Sequence, residues 1–162
     1  MRVTYDLRAM YANVLLIHNW LRWFTLLMCV GAIVYAARPP KPGSTELPGK
    51  TWDVYLMLAV DLQMLTGLIL YFGLSDFTRA AMEHPLTAAL HELSVRYWGL
   101  IHAGAMFASL LTVRVARVLA LNARTPELAQ RRRLVWHVIS TIMILAAVPW
   151  PGMFQARPLF RW

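Results

Sequence analysis

The chain has 162 residues, of which 59% belong to the hydrophobic set and only 15% are charged. A soluble domain of this length is roughly half apolar and a quarter charged, with its apolar residues in stripes. Here they come in long blocks, which excludes an ordinary soluble domain and indicates an integral membrane protein. The net charge of +8 would suit a nucleic-acid binder, but the basic residues gather at the ends of apolar blocks, as at Arg114, Arg117 and Arg131 to Arg133. That placement fits anionic lipid headgroups and topology setting, and no nucleic-acid partner is expected.

The expected fold class is all-α: an integral membrane four-helix antiparallel bundle forming one membrane domain over 1–162. Each of four segments, near 12–37, 52–73, 96–121 and 133–151, can cross roughly 30 Å of hydrocarbon at about 1.5 Å per residue. The N-terminal run is too long for a signal-peptide core, lacks a small-x-small cleavage site, and is expected to remain as the first span. It contains Cys29, the single cysteine, which allows no internal disulfide and reads as a small buried hydrophobe. It also carries His18, Asn19 and Arg22 near its start, groups that lipid tails cannot solvate.

Between the first and second spans, "RPPKPGSTELPGK" cannot continue a helix and should form a stiff solvated turn. The second span holds Asp61, Gln63 and Gly67. In the connection that follows, Leu86, Ala89, Leu90 and Leu93 share one helical face, which predicts an interfacial helix over 85–93. His91 and Glu92 open like a zinc-protease motif, but the second ligand position is Val95, so that reading fails. His84 and His91 are expected to be solvated. The third span contains His102 and, one turn on, Met106, expected to pack rather than ligate. Thr125, Pro126 and Glu127 carry the signals of a helix start, so the fourth helix should begin outside the membrane and run inward past its arginines. His137 lies beside them and is expected at the interface, and "VPWP" at 148–151 should end the helix.

Aromatic residues mark both surfaces, with Tyr11, Tyr71, Tyr97, Trp98 and Trp150 at one and Tyr35, Trp52, Tyr55 and Trp136 at the other. The surface opposite the termini carries the heavier load of Lys and Arg, which puts the termini on the non-cytoplasmic side. His18 and His102 each lie about 9 Å inside the terminus-bearing surface. Two imidazoles at one depth on different helices could clasp a haem, with Gly67, and Gly104 likewise, permitting close approach of a flat macrocycle or a neighbouring helix. Equally, each imidazole could simply hydrogen-bond a neighbouring helix. Arg22 and Asp61 both count to near the midplane, so pairing them is the cheapest way to place both charges, as a structural ion pair.

His18 to Trp23 (HNWLRW), "QMLTGLILYF", "IHAGAM" and "VPWP" resemble a group of small bacterial four-helix membrane proteins usually described as cytochrome b-like. The resemblance covers roughly 12–151 and implies a bacterial cytoplasmic membrane protein with His18 and His102 at the family's histidine positions. Asp61 stands where that pattern carries a further histidine, which puts haem binding in question. Two functions therefore stay open. One is electron transfer through a single haem b whose iron is held by His18 and His102, with a quinone or a redox partner. The other is a cofactor-free structural or accessory subunit of a larger respiratory or photosynthetic complex. The connections are short and the ends read as stubs, leaving little chain for independent catalysis, and no nucleophile–His–acid set assembles at a common depth. A transporter is a third alternative, because Asp61 and Arg22 could line a path, but four short helices make a thin pore and no pair of discontinuous helices is evident.

Overall fold

The computed structural model describes residues 2–39, 49–83, 91–153, 155 and 157–161, and, of residues 2–5, 80 and 81, the backbone alone. Among the described residues the chain is helical, with no strand. Helix α1 runs Arg2–Ala36 and α2 runs Lys50–Ile69, prolonged by a π-helical turn over Leu70–Leu74. A short amphipathic helix, α3 (Asp76–Glu83), follows. Helix α4 spans Leu93–Leu121 and contains a π-helical stretch at Tyr97–His102; α5 spans Pro126–Ala147. Residues 40–48 of the first connection and 85–90 of the expected helix over 85–93 fall outside the described residues, as does His84. His91 is exposed.

Three helical stretches, Asp6–Ala36, Lys50–Leu74 and Leu93–Leu121, are long and apolar enough to cross a membrane. Helix α5, with 22 residues, has the length but spends its first turns on Gln130 and three arginines, so its apolar part is shorter than theirs. Its start is built as the sequence predicts: the Thr125 hydroxyl accepts from the Leu128 amide (3.2 Å) and Pro126 takes the first helical position. Its end follows from two prolines. Pro149 and Pro151 have no N–H, so the carbonyls of Leu145 and Ala147 lose their in-helix donors. The Trp150 indole donates to the first of these (2.8 Å). The Tyr97 hydroxyl (2.9 Å) and the His102 ring (2.8 Å) supply the second.

Cross-helix contacts fix the packing. Tyr35 stacks on Trp52 at 4.9 Å while Thr25 donates to the Ala59 carbonyl (3.4 Å), so α1 and α2 run antiparallel. Tyr71 donates to Gly99 (2.9 Å), setting α2 against α4, and Thr112 meets Ser140 (2.7 Å), setting α4 against α5. Helix α1 also packs on α5, which closes the ring. The core comprises Cys29, Ala32, Leu56, Ala59, Val60, Val113, Ile144 and Val148.

The distribution of polarity is inverted relative to a soluble bundle. On α1 the buried residues include Asn19, Arg22, Thr25, Cys29, Ala32 and Ala36, while Ile17, Trp20, Phe24, Leu27, Val30 and Val34 face outward. On α5, Arg133, His137 and Ser140 are buried, while Val135, Val138, Ile139, Ile142 and Leu145 are exposed. Small and polar side chains thus sit between helices and large apolar ones outside, an arrangement that water would penalise and hydrocarbon would not.

Candidate ligand site and the polar clusters

A cavity of ≈ 330 Å³ opens between α1, α2, α4 and the tail that follows α5. That volume falls in the range of small-molecule and cofactor sites. The π-helical segments of α2 and α4 both border it, through Leu70, Tyr71 and Phe72 on one and Trp98 and His102 on the other. Such segments often mark functional positions, because the extra residue re-aims side chains. His18, His102 and Gly67 all line this cavity, so the three residues singled out for a cofactor come together.

The two imidazoles are held in the same tautomer. His102 Nδ1–H donates to the Ala147 carbonyl (2.8 Å), which leaves Nε2 as the basic nitrogen, with no partner among the described residues. His18 Nδ1–H donates to Thr66 Oγ1 (3.0 Å), because the Thr66 hydroxyl is itself committed to the carbonyl of Gln63 (3.0 Å). The basic Nε2 of His18 then accepts from the Gln63 side-chain amide (3.0 Å), whose other hydrogen reaches the His18 carbonyl (3.1 Å). This spends both donors of Gln63 and leaves its Oε1 buried without a partner among the described residues. Gly67 makes room for a neighbouring side chain: a Cβ there would stand 3.3 Å from His18 Cε1, so its absence lets the ring lie against α2. At Gly104 nothing lies within 4 Å of a Cβ position, and no close approach is made there.

The expected Arg22–Asp61 pair is not formed. Asp61 pairs with Arg114 (2.5 Å) on the outer surface between α2 and α4, with side chains 44% and 38% exposed. Arg22 turns inward, and its Nη2 donates to the Leu159 carbonyl (2.6 Å). The two residues share a level but not a face. Residues 56, 59, 60 and 63 mark the inner side of α2, and position 61 lies roughly 100° from position 60 around the helix.

The segment after α5 is not the stub the sequence suggests. The Leu159 carbonyl also accepts from Trp23 Nε1 (3.0 Å) and Asn19 (3.4 Å), the Trp20 indole donates to the Arg161 carbonyl (3.2 Å), and Phe160 stacks on Trp23 at 5.2 Å. The polar residues of "HNWLRW" therefore divide their work: His18 engages α2, and Asn19, Trp20, Arg22 and Trp23 fasten the tail against α1.

Sequence reasoning missed a second cluster, at the opposite end. Asp53, Arg133 and His137 are each about 1% exposed or less. Arg133 Nε donates to one carboxylate oxygen of Asp53 (2.7 Å) and His137 Nε2 to the other (2.9 Å). His137 is thus buried inside the bundle, not at an interface, because Asp53 gives its ring a partner there. Asp53 follows the stripe of Leu56, Val60 and Gln63 on α2, which is the signal that could have found it.

Among the described residues no group of three or more His, Cys, Asp or Glu is placed to hold a metal ion. The fit of a haem therefore rests on the imidazole pair. His102 meets the requirement, having a basic Nε2 and an anchored Nδ1–H, the usual second contact of a metal-bound histidine. His18 has the right tautomer and would have to exchange the Gln63 amide for the metal. In comparisons with known proteins, no family model, no curated protein and no solved structure matches the chain.

Proposed function

We propose that the protein is an integral membrane subunit of four antiparallel spans that holds one haem b in this cavity and takes part in electron transfer. The membrane placement is supported by the apolar exterior and polar interior of α1 and α5, and by the three long apolar helices. The arginine-rich end opposite the cavity would face the cytoplasm of a bacterial cell, with the termini outside.

One observation carries the cofactor reading: two imidazoles from different helices border one mostly apolar cavity, each with Nδ1–H anchored and Nε2 basic. Haem, when bound, supplies one-electron chemistry, and a quinone or a protein would be its redox partner. The chain's own residues provide the rest. The Ala147 carbonyl and Thr66 orient the two rings and fix their tautomers. Met64, Leu68 and Phe107 keep water out, and Trp98 packs edge-on against His102 at 5.3 Å. The experiment is a reduced-minus-oxidised spectrum of the purified protein, expected to show a b-type signal that is lost in His102→Ala and His18→Ala. A pure, folded preparation that neither carries haem nor takes it up ends this reading.

One contact favours a second reading, that of a cofactor-free subunit packed against a larger respiratory or photosynthetic membrane complex. The Gln63 amide already satisfies His18 Nε2, as a purely structural histidine requires. Co-purification with a defined partner complex in mild detergent, without haem absorbance, would support it. A stable, partner-free preparation would count against it.

A further inference from the structure

The charges around the cavity are all of one sign. Arg22, Arg157 and Arg161 line it, and among the described lining residues there is no Asp or Glu. Arg22 is only 8% exposed, and its one hydrogen bond among the described residues goes to a backbone carbonyl, not to an acid. Its Nε–H is buried with no partner among the described residues. Arg157 lies over the Trp98 ring at 5.0 Å, a contact that leaves the guanidinium edge available for hydrogen bonds. A desolvated guanidinium donor without an acceptor is costly, and a planar fork of N–H groups is best matched by a carboxylate or phosphate. The opposite wall is apolar. Leu68, Phe72 and Phe107 line the cavity and are also 43%, 69% and 56% exposed on the outer face, so it opens sideways where lipid would lie.

We infer that the cavity takes an anionic amphiphile, its acid group held by Arg22 with Arg157 and Arg161 and its apolar body laid along Met64, Leu68 and Phe107. This rests on the cavity being the ligand site, but not on the ligand being haem. An acid group on an apolar body belongs both to membrane lipids and to a porphyrin bearing carboxylates, and the experiment separates the two. Full-length protein in neutral detergent is titrated with 9,10-dibromostearate, whose bromines quench tryptophan, and in parallel with its methyl ester. The acid is expected to quench saturably, and the ester and Arg157→Gln to bind about tenfold more weakly. Arg22→Gln should weaken binding further, and Arg157, on the tail, covers the case in which that variant fails to fold. Equal quenching by acid and ester, or wild-type affinity in Arg157→Gln, overturns the inference. Haemin added to a complex with radiolabelled stearate identifies the source, bound label being counted because haem itself quenches tryptophan: release of label shows that a porphyrin shares the cavity, and its retention points to a lipid acid. Acid binding without haem uptake leaves this inference standing while the haem reading falls. Haem uptake that depends on His102 and is indifferent to Arg157 does the reverse.

Discussion

Asp61→Asn reports which solvent surrounds the bundle. Asp61 lies eleven residues beyond Lys50, the start of α2, which is about 16 Å along the helix axis and near the middle of Lys50–Leu74. Its carboxylate meets Arg114 at 2.5 Å, and both side chains are about two-fifths exposed on the outer surface. If water wets that surface, the pair is an ordinary exposed ion pair worth about 0.2–1 kcal/mol, and removing the acid costs no more than that. If hydrocarbon covers it, the substitution would leave the Arg114 guanidinium facing lipid, a cost of about 2.5–3.5 kcal/mol on insertion scales, reduced as far as Arg114 can reach toward the headgroups. The bilayer placement therefore predicts a loss of about 2 kcal/mol or more, measured by equilibrium unfolding with sodium dodecyl sulfate in mixed micelles and followed by helical circular dichroism. Arg114→Gln added to Asp61→Asn should recover most of it, because no charge is then left in lipid. A loss below about 1 kcal/mol that the second substitution does not change would put the pair in water, and the spans would have to be redrawn.

Asp53→Ala should cost about 3–5 kcal/mol in the same assay, because it removes the carboxylate to which buried Arg133 and His137 both donate; Arg133→Met on top of it should return much of the loss. At Gly31 a Cβ would overlap the six-membered ring of Trp52, so Gly31→Ala must displace the indole from its stack on Tyr35. A loss of about 1–3 kcal/mol is expected, together with a weakened near-ultraviolet dichroism signal; an unchanged signal would contradict the packing. Gln63→Leu removes two donors from His18 and should lower stability by about 1–3 kcal/mol. It should leave the haem-to-protein absorbance ratio at or above wild type, whereas a sharp fall in that ratio would make Gln63 part of the ligand site.

Helix ends and levels were legible in the sequence, whereas faces and backbone partners were largely hidden. Thr125, Pro126 and the prolines of "VPWP" act through covalent geometry and local hydrogen bonds, so their effect is written at the position where it occurs. Counting residues put His18 and His102 near one end, and both border one cavity. Counting could not choose a partner for Arg22, because depth leaves the angle around the helix free. Helical period would have helped: Asp53 follows the stripe of Leu56, Val60 and Gln63, and Asp61 does not. The fastening of the tail was hidden for a different reason. Asn19, Arg22 and Trp23 all bind the Leu159 carbonyl, and a backbone carbonyl is the same acceptor in every residue, so nothing in the sequence marks it.

The two ends of the bundle handle their buried charges in opposite ways. At the far end each oxygen of Asp53 has its own donor and the charges of Arg133 and Asp53 balance, with His137 Nδ1 the ring atom left over among the described residues. At the near end, His102 Nε2 has no described partner, and Gln63 Oε1 and Arg22 Nε are left over on a cavity wall where Tyr97, Ala147 and the tail have rigidly placed their neighbours. Unspent hydrogen-bonding capacity costs stability in the empty protein and returns as affinity when a complementary molecule arrives. Substitutions at Asp53, Arg133 or His137 should therefore change whether the protein folds, and those at His102 or Arg157 what it holds. An assay that read both stability and occupancy would find the two sets of variants moving along different axes.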